Sequence, residues 1–290
     1  MVSRRQLLTG AMLAAPALMS LRAEAAGDDR ERLRGIASLE RRYGGRLGVA
    51  ILDTSTITPI TYRGDERFPL CSTFKVLAAA FVLARLDAGK ESLARRNRYS
   101  RDCLVPHSPI TEKHAGGDGL TIGEICATAM TLSDNTAANL LLDSFGGPAA
   151  LTAYLRSLGD HLTRLDRRET ALNEAQPGDP RDTTSPFAMV KLLRTTVCGT
   201  ALSVSARAQL AAWLVANRTG DQRLRAGIPH GWRVGDKTGS GGYHATNDVA
   251  VVWPPRGAPI IVAAYYVEST APEDARNAVL AEIGRLAVRA

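Results

Sequence analysis

Ser72 and Lys75, three residues apart, stand at the head of a run that is apolar on nearly every side as far as Leu86, with Gly89 beyond it as a stop. Such a run predicts a buried helix from Ser72 to about Leu86. A serine in its first turn lies beside aligned backbone N–H groups, which suit a developing oxyanion. Lys75 shares that face, and an amine in an apolar helix is costly to keep charged without a partner. The pair points to a hydroxyl nucleophile activated by a neighbouring amine. An S-x-x-K spacing alone is a weak signal, but it occurs once in this chain, on the helix best suited to it.

Two further triplets carry polar groups at element ends. Ser133-Asp134-Asn135 precedes a helical pattern. Its structural reading is an N-cap, which all three residue types favour. Lys237-Thr238-Gly239 ends a strand and is followed by Ser240-Gly241-Gly242. Its structural reading is a hairpin turn; its functional reading is a cationic, hydroxyl-rich strand edge that can bind an extended amide.

The elements that must position these residues change character along the chain. A helical spacing over Asp29 to Tyr43 stops at Gly44-Gly45, and strands follow at Leu47–Leu52 and near Ile60–Tyr62. Helical patterns then occupy about 121–130, 134–143, 148–157, 185–196 and 206–215. Strands return at Arg233–Lys237, Asn247–Trp253 and Pro259–Glu268, and a closing helix spans Pro272–Val288. The expected fold is α+β. The N- and C-terminal segments, 27–65 and 216–290, share one antiparallel sheet flanked by helices, and 66–215 forms an all-helical lobe. A cleft between the two is the expected site. Arg164 to Pro186 is charged and Pro/Gly-containing but not periodic, which predicts an ordered functional loop.

SxxK, then SDN, then KTG, in this order, is the motif set of class A β-lactamases and penicillin-binding proteins. The chain resembles a class A serine β-lactamase over essentially its whole length after residue 26. Arg167-Arg168-Glu169-Thr170-Ala171-Leu172-Asn173 matches the family's Ω-loop ExxLN element, and Asp179-Pro180-Arg181-Asp182-Thr183-Thr184 its downstream end, so the Ω-loop covers about 164–182.

The resemblance implies hydrolysis of the β-lactam ring of penicillins and cephalosporins, and hence antibiotic resistance. Ser72 would be the nucleophile, with the N–H groups of Ser72 and Ser240 as oxyanion donors. Lys75, or Glu169 through water, would take the serine proton. Ser133 would relay a proton to the leaving nitrogen, and Glu169 would activate the deacylating water, placed with help from Asn173. Asn135 would bind the substrate's side-chain amide. Lys237, Thr238 and Ser240 would line the carboxylate pocket. Arg223 falls where some members carry an extra carboxylate-binding arginine; the alternative is an ordinary surface arginine. Arg167 and Asp182 would close the Ω-loop as an ion pair.

Two positions depart from the pattern. His107 stands where many members have an aromatic gatekeeper, and its ring can still stack on substrate; the alternative is a solvated loop residue. Position 241 is Gly, where carbapenem-hydrolysing members often have a cysteine bonded to the one at position 71, so that bridge to Cys71 cannot form. The nearest rival is a D,D-peptidase, against which Glu169 and Asn173 argue. A non-catalytic penicillin sensor would lack Ser72, Lys75 or Glu169, and all three are present.

Residues 1–26 follow the three-part pattern of an export signal: Arg4-Arg5, an uncharged Leu7–Leu21 and a small-residue Ala23-Glu24-Ala25 end. Ser3-Arg4-Arg5-Gln6-Leu7-Leu8 resembles the twin-arginine type; the alternative is a general secretory signal with a chance arginine pair. Either way the expected location is the periplasm, with no membrane attachment after signal removal. The chain has 290 residues and a net charge of +7, but its basic and acidic residues are interspersed and aromatics make up only 5%, which argues against nucleic acid as partner. The four cysteines, Cys71, Cys103, Cys126 and Cys198, and the five histidines show no metal-ligand spacing, so no cofactor is expected. The remaining partner is a small β-lactam, and the expected state is a monomer.

Overall fold

The computed structural model describes residues 27–56 and 58–289. The expected export signal lies outside the described residues. Five strands form one antiparallel sheet: β1 (Arg46–Asp53), β2 (Ile60–Tyr62), β3 (Arg233–Ser240), β4 (Thr246–Trp253) and β5 (Ile260–Val267), in the order β2-β1-β5-β4-β3. The two ends of the chain meet in its centre. β1 pairs with β5 along its whole length, from Arg46 opposite Val267 to Asp53 opposite Ile260.

Both faces of the sheet are covered at its centre, which is why β1 and β5 read as near-continuous apolar runs. One face packs on helix α1 (27–43) and the C-terminal helix through Ile36, Val49, Val262, Tyr266, Leu280 and Ile283. The other face, with Leu52, Val251, Ala263 and Tyr265, joins a core that continues into the helical half of the molecule.

That half is built around α2 (Phe74–Asp87), whose side chains from Phe74 through Ala80 are all buried. Regular helix begins two residues after Ser72, which sits instead in a 3₁₀ turn, Cys71–Thr73, that leads into it. Around α2 stand α3 (Ile122–Thr131), α4 (Asn135–Phe145), α5 (Gly147–Ser157), α6 (Pro186–Leu193) and α7 (Val204–Val215). α3 starts at a capping box between Thr121 and Glu124, and α4 ends at Gly146 in the left-handed region, each a sequence-encoded boundary. α6 is shorter than its sequence pattern: the chain passes into a π turn at Arg194–Cys198. α6 also packs on β1 and β5, and α7 on β3, so two helices of the middle segment cover the sheet. The chain closes with α8 (Glu273–Ala287). Among the described residues no helix is long and apolar enough to cross a membrane.

Candidate active site

One wall of the cleft is helical. Lys75, in the first turn of α2, is fully buried. Its Nζ donates to Ser133 O and to Asn135 Oδ1, both at 2.7 Å, and lies 3.0 Å from Glu169 Oε1. These partners answer the cost of burying an amine. The triplet before α4 fulfils its structural reading. Asp134 is the N-cap, accepting from Ala137 N at 2.8 Å, and its other oxygen accepts from Ile110 N and Thr111 N. Ser133, at φ +59°, and Asn135 flank it and reach Lys75.

The Ω-loop supplies Glu169. Its Oε1 accepts from Ser72 Oγ at 3.4 Å and its Oε2 from Asn173 Nδ2 at 2.5 Å. Asn139, one turn beyond Asn135 on α4, fixes the glutamate backbone from both sides: its Nδ2 donates to Glu169 O and its Oδ1 accepts from Glu169 N, each at 3.0 Å. Asn173 Oδ1 is buried and accepts no hydrogen bond within the protein. The loop's neck closes as expected. Arg167 Nε lies 2.6 Å from Asp182 Oδ2, and Asp182 Oδ1 accepts from the backbone N–H of Asp166 and Arg167. Leu70 N donates to Asp182 O, tying the neck to the residues just before Ser72.

The other wall is strand β3. Lys237 is fully buried and donates to Ser133 Oγ at 3.1 Å and to Thr238 O at 3.0 Å. Arg223 is 7% exposed, which rules out the surface-arginine reading. It lies across the end of the strand, donating to Gly239 O at 3.0 Å, Asn247 O at 2.8 Å, Ser240 Oγ at 2.8 Å and Asn277 Oδ1 at 3.0 Å. Neither cation is in an ion pair among the described residues. Thr238 Oγ1 hydrogen-bonds Thr219 Oγ1.

Burial sets the electrostatics. It pulls the Lys75 amine below its ordinary range, opposed by the Glu169 carboxylate. Lys237 is pushed down to about 7, first by burial and then by the Lys75 cation. Arg223 is lowered by burial too. Beneath the strand, burial raises both Asp236 and Asp248, and Asp236 raises its neighbour further. Burial also pushes the Cys71 thiol up to about 12, as suits an inert packing residue.

The cleft between the walls holds about 330 Å³ and is lined by Ser72, Ser133, Asn135, Asn173, Arg223, Thr238 and Ser240, with His107 at its rim. Lys75, Glu169 and Lys237 lie directly behind these residues. His107 is exposed, with Nε2 3.0 Å from Leu132 O. A larger cavity, about 520 Å³ beside Phe187 and Lys191, gathers none of the motif residues. Sequence reading missed Asn139, Thr219, Asn247 and Asn277. Asn139 had a usable signal, a second asparagine at i+4 from Asn135 on one helix face.

All four cysteines are free. A Cβ on Gly241 would sit 2.8 Å from Cys71 Sγ and 2.6 Å from Asn173 O, so glycine lets the strand's end approach both. Among the described residues, no group of three or more His, Cys, Asp or Glu is placed to hold a metal ion. The arrangement instead puts the Ser72 hydroxyl within reach of a carboxylate that is itself paired with the Lys75 amine, opposite a wall whose cations have no ion pair among the described residues. It can form and cleave an ester while gripping an anionic ligand.

Comparison with known proteins agrees with that chemistry. A family model described as the β-lactamase enzyme family matches residues 31–290. The chain is 48% identical over 251 residues to β-lactamase OXY-1 of Klebsiella oxytoca, covering 87% of this chain and 86% of that protein. Among solved structures, an ancestral (GNCA) class A β-lactamase is 64% identical with a TM-score of 0.87, covering 89% of this chain and 98% of the other. A putative class A β-lactamase, PenP from Rhodopseudomonas palustris, is 58% identical with a TM-score of 0.87, covering 88% and 98%.

Proposed function

The chain belongs to the class A serine β-lactamases, and from that premise we propose how its own residues open the β-lactam ring of penicillins and cephalosporins and so give antibiotic resistance. Ser72 Oγ attacks the ring carbonyl while its proton passes to Lys75 Nζ, 3.0 Å from Glu169, or through water to Glu169 itself. The N–H groups of Ser72 and Ser240 receive the oxyanion. The C–N bond breaks, and Ser133, hydrogen-bonded by both Lys75 and Lys237, hands a proton to the departing nitrogen. An ester on Ser72 remains. Glu169 then takes a proton from a water that attacks this ester, and Ser72 leaves with its proton restored.

Asn135 binds the substrate's amide, His107 packs at the rim, and Lys237, Thr238, Ser240 and Arg223 hold its carboxylate. The observation that carries the reading is Glu169. Its carboxylate lies 3.4 Å from Ser72 Oγ and 2.5 Å from Asn173 Nδ2, while Asn173 Oδ1 offers an acceptor for the same water. A D,D-peptidase needs no such group. The reading requires no metal or cofactor.

We further read 27–65 with 216–290 as a sheet domain and 66–215 as a helical lobe, the chain as a monomer without nucleic-acid partners, and 1–26 as a twin-arginine signal that delivers it to the periplasm. The test is steady-state assay of the purified protein against a chromogenic cephalosporin and against a peptide ending in D-Ala-D-Ala. Rapid hydrolysis of the first and none of the second is expected. The reverse would establish a peptidase.

A further inference from the structure

Beside the cleft the β3–β4 turn, 241–245, is pressed against the Ω-loop. Gly242 N donates to Asn173 O at 2.8 Å, and Gly241 is close enough that a Cβ would strike the same carbonyl. Among the described residues, one side-chain hydrogen bond joins turn to loop: Tyr243 Oη donates to Gln176 Oε1 at 2.5 Å. Tyr243 is held in an unusual state. Its backbone is left-handed at φ +50°, a conformation that costs energy for a side chain of this size. Its O accepts from Glu268 N at 2.7 Å, anchoring it to the end of β5, and its side chain is among the few large apolar ones left exposed, at 46%. Gln176 lies three residues beyond Asn173, whose carboxamide holds Glu169.

We propose that Tyr243 is a positioning residue, a latch that keeps the 173–176 segment of the Ω-loop on the hairpin. Through Gln176 it holds the Asn173 carboxamide on Glu169, and it fixes how wide an acyl side chain the cleft takes. Opening the latch gives room beside the acyl group and slackens Asn173, so bulky substrates gain access while deacylation of small ones slows. This rests on the deacylation role proposed for Glu169.

The experiment compares Tyr243→Phe, Gln176→Leu and the double variant, using benzylpenicillin and a cephalosporin with a bulky branched acyl side chain. Each single variant is expected to raise the ratio of kcat/KM, bulky over small, about fivefold, which is what one neutral hydrogen bond carries. Penicillin deacylation, followed by acyl-enzyme accumulation in stopped flow, slows by a similar factor. Because the two side chains act as one bond, the double variant changes the ratio no further. A general loss of stability would lower both substrates together and leave the ratio fixed. An unchanged ratio in either single variant, or effects that multiply to about 25-fold in the double, would overturn the latch. If Tyr243→Phe does not fold, Gln176→Leu alone decides the matter by the same ratio. Wild-type turnover is the control: its absence would indict the proposed function, whereas normal wild-type turnover with unmoved variants indicts the latch alone.

Discussion

The two walls of the cleft bury cations in opposite ways. On the helical wall Lys75 is paired with Glu169 at 3.0 Å and hydrogen-bonded by Ser133 and Asn135. On the strand wall Lys237 and Arg223 are buried too but rest on carbonyls, hydroxyls and an amide, with no carboxylate in an ion pair among the described residues. Two unpaired buried cations are costly for a fold to carry. That cost makes sense where an anionic ligand completes the pairing. In the proposed function the paired wall exchanges protons and the unpaired wall takes the substrate's carboxylate. Chemistry and binding are thus separated by how each wall balances its charge.

Removing the nucleophile breaks the paired wall outright. Ser72→Ala should lower turnover by roughly 10⁴-fold or more while substrate still binds the strand wall, as measured by steady-state kinetics alongside equilibrium binding of a penicillin. Loss of binding together with turnover would mean that the walls are not separable.

Next in size is the neck of the Ω-loop, which holds Glu169 in the paired wall. Asp182 is 1% exposed, and removing its charge takes the buried carboxylate from Arg167, which keeps the more exposed Glu174 and, at 4.0 Å, Asp179, and takes a charged acceptor from the backbone N–H groups of Asp166 and Arg167, at a cost of about 3 kcal/mol. Asp182→Asn should therefore lower Tm by roughly 6–10 °C in calorimetry, hurting small substrates while bulky cephalosporins gain from a looser loop. Arg223→Met should lower Tm by less, because relief of a buried cation with no ion pair among the described residues offsets part of the four hydrogen bonds lost. If both variants melt alike, the contrast between the walls fails.

Arg223→Met should instead raise KM for carboxylate-bearing substrates about thirtyfold, the worth of a charged hydrogen bond, with far less effect on the same substrate as its methyl ester. Equal losses for acid and ester would contradict an anion-binding role.

The smallest effect is the pH profile. Lys237, pushed down to about 7, sheds its proton as pH rises through that value, and only the protonated amine attracts a carboxylate. Hence kcat/KM for a penicillin should fall severalfold, through KM, between about pH 7 and 9. Lys237→Arg, which stays charged over this range, should flatten that limb. A limb that is unmoved by the substitution would assign it to another group.

How much of this was legible in the sequence differs between the walls. Ser72, Lys75, Ser133, Asn135, Lys237 and Thr238 sit in short motifs whose spacing and order carry the signal, and Glu169 and Asn173 share one loop element. The supports were less legible. Asn247 and Asn277 brace Arg223 from positions 24 and 54 residues away, and polar residues at such distances look like any others on a strand or helix. The element pattern was readable because both sheet faces are buried, giving an apolar run through β5 and through the second half of β4. The 3₁₀ turn at Ser72 and the π turn after α6 were not, because local tightening leaves no periodicity to read.

The central claim is that Glu169 empties the acyl-enzyme that Ser72 creates. A carboxylate in this position contributes about 10²–10⁴ in rate, while acylation retains Lys75 as a base. Glu169→Ala mixed with a penicillin and followed by mass spectrometry should show Ser72 carrying the intact drug mass, stable for minutes or longer, as steady-state turnover collapses. A variant that turns over like the wild type with no trapped adduct would contradict the account.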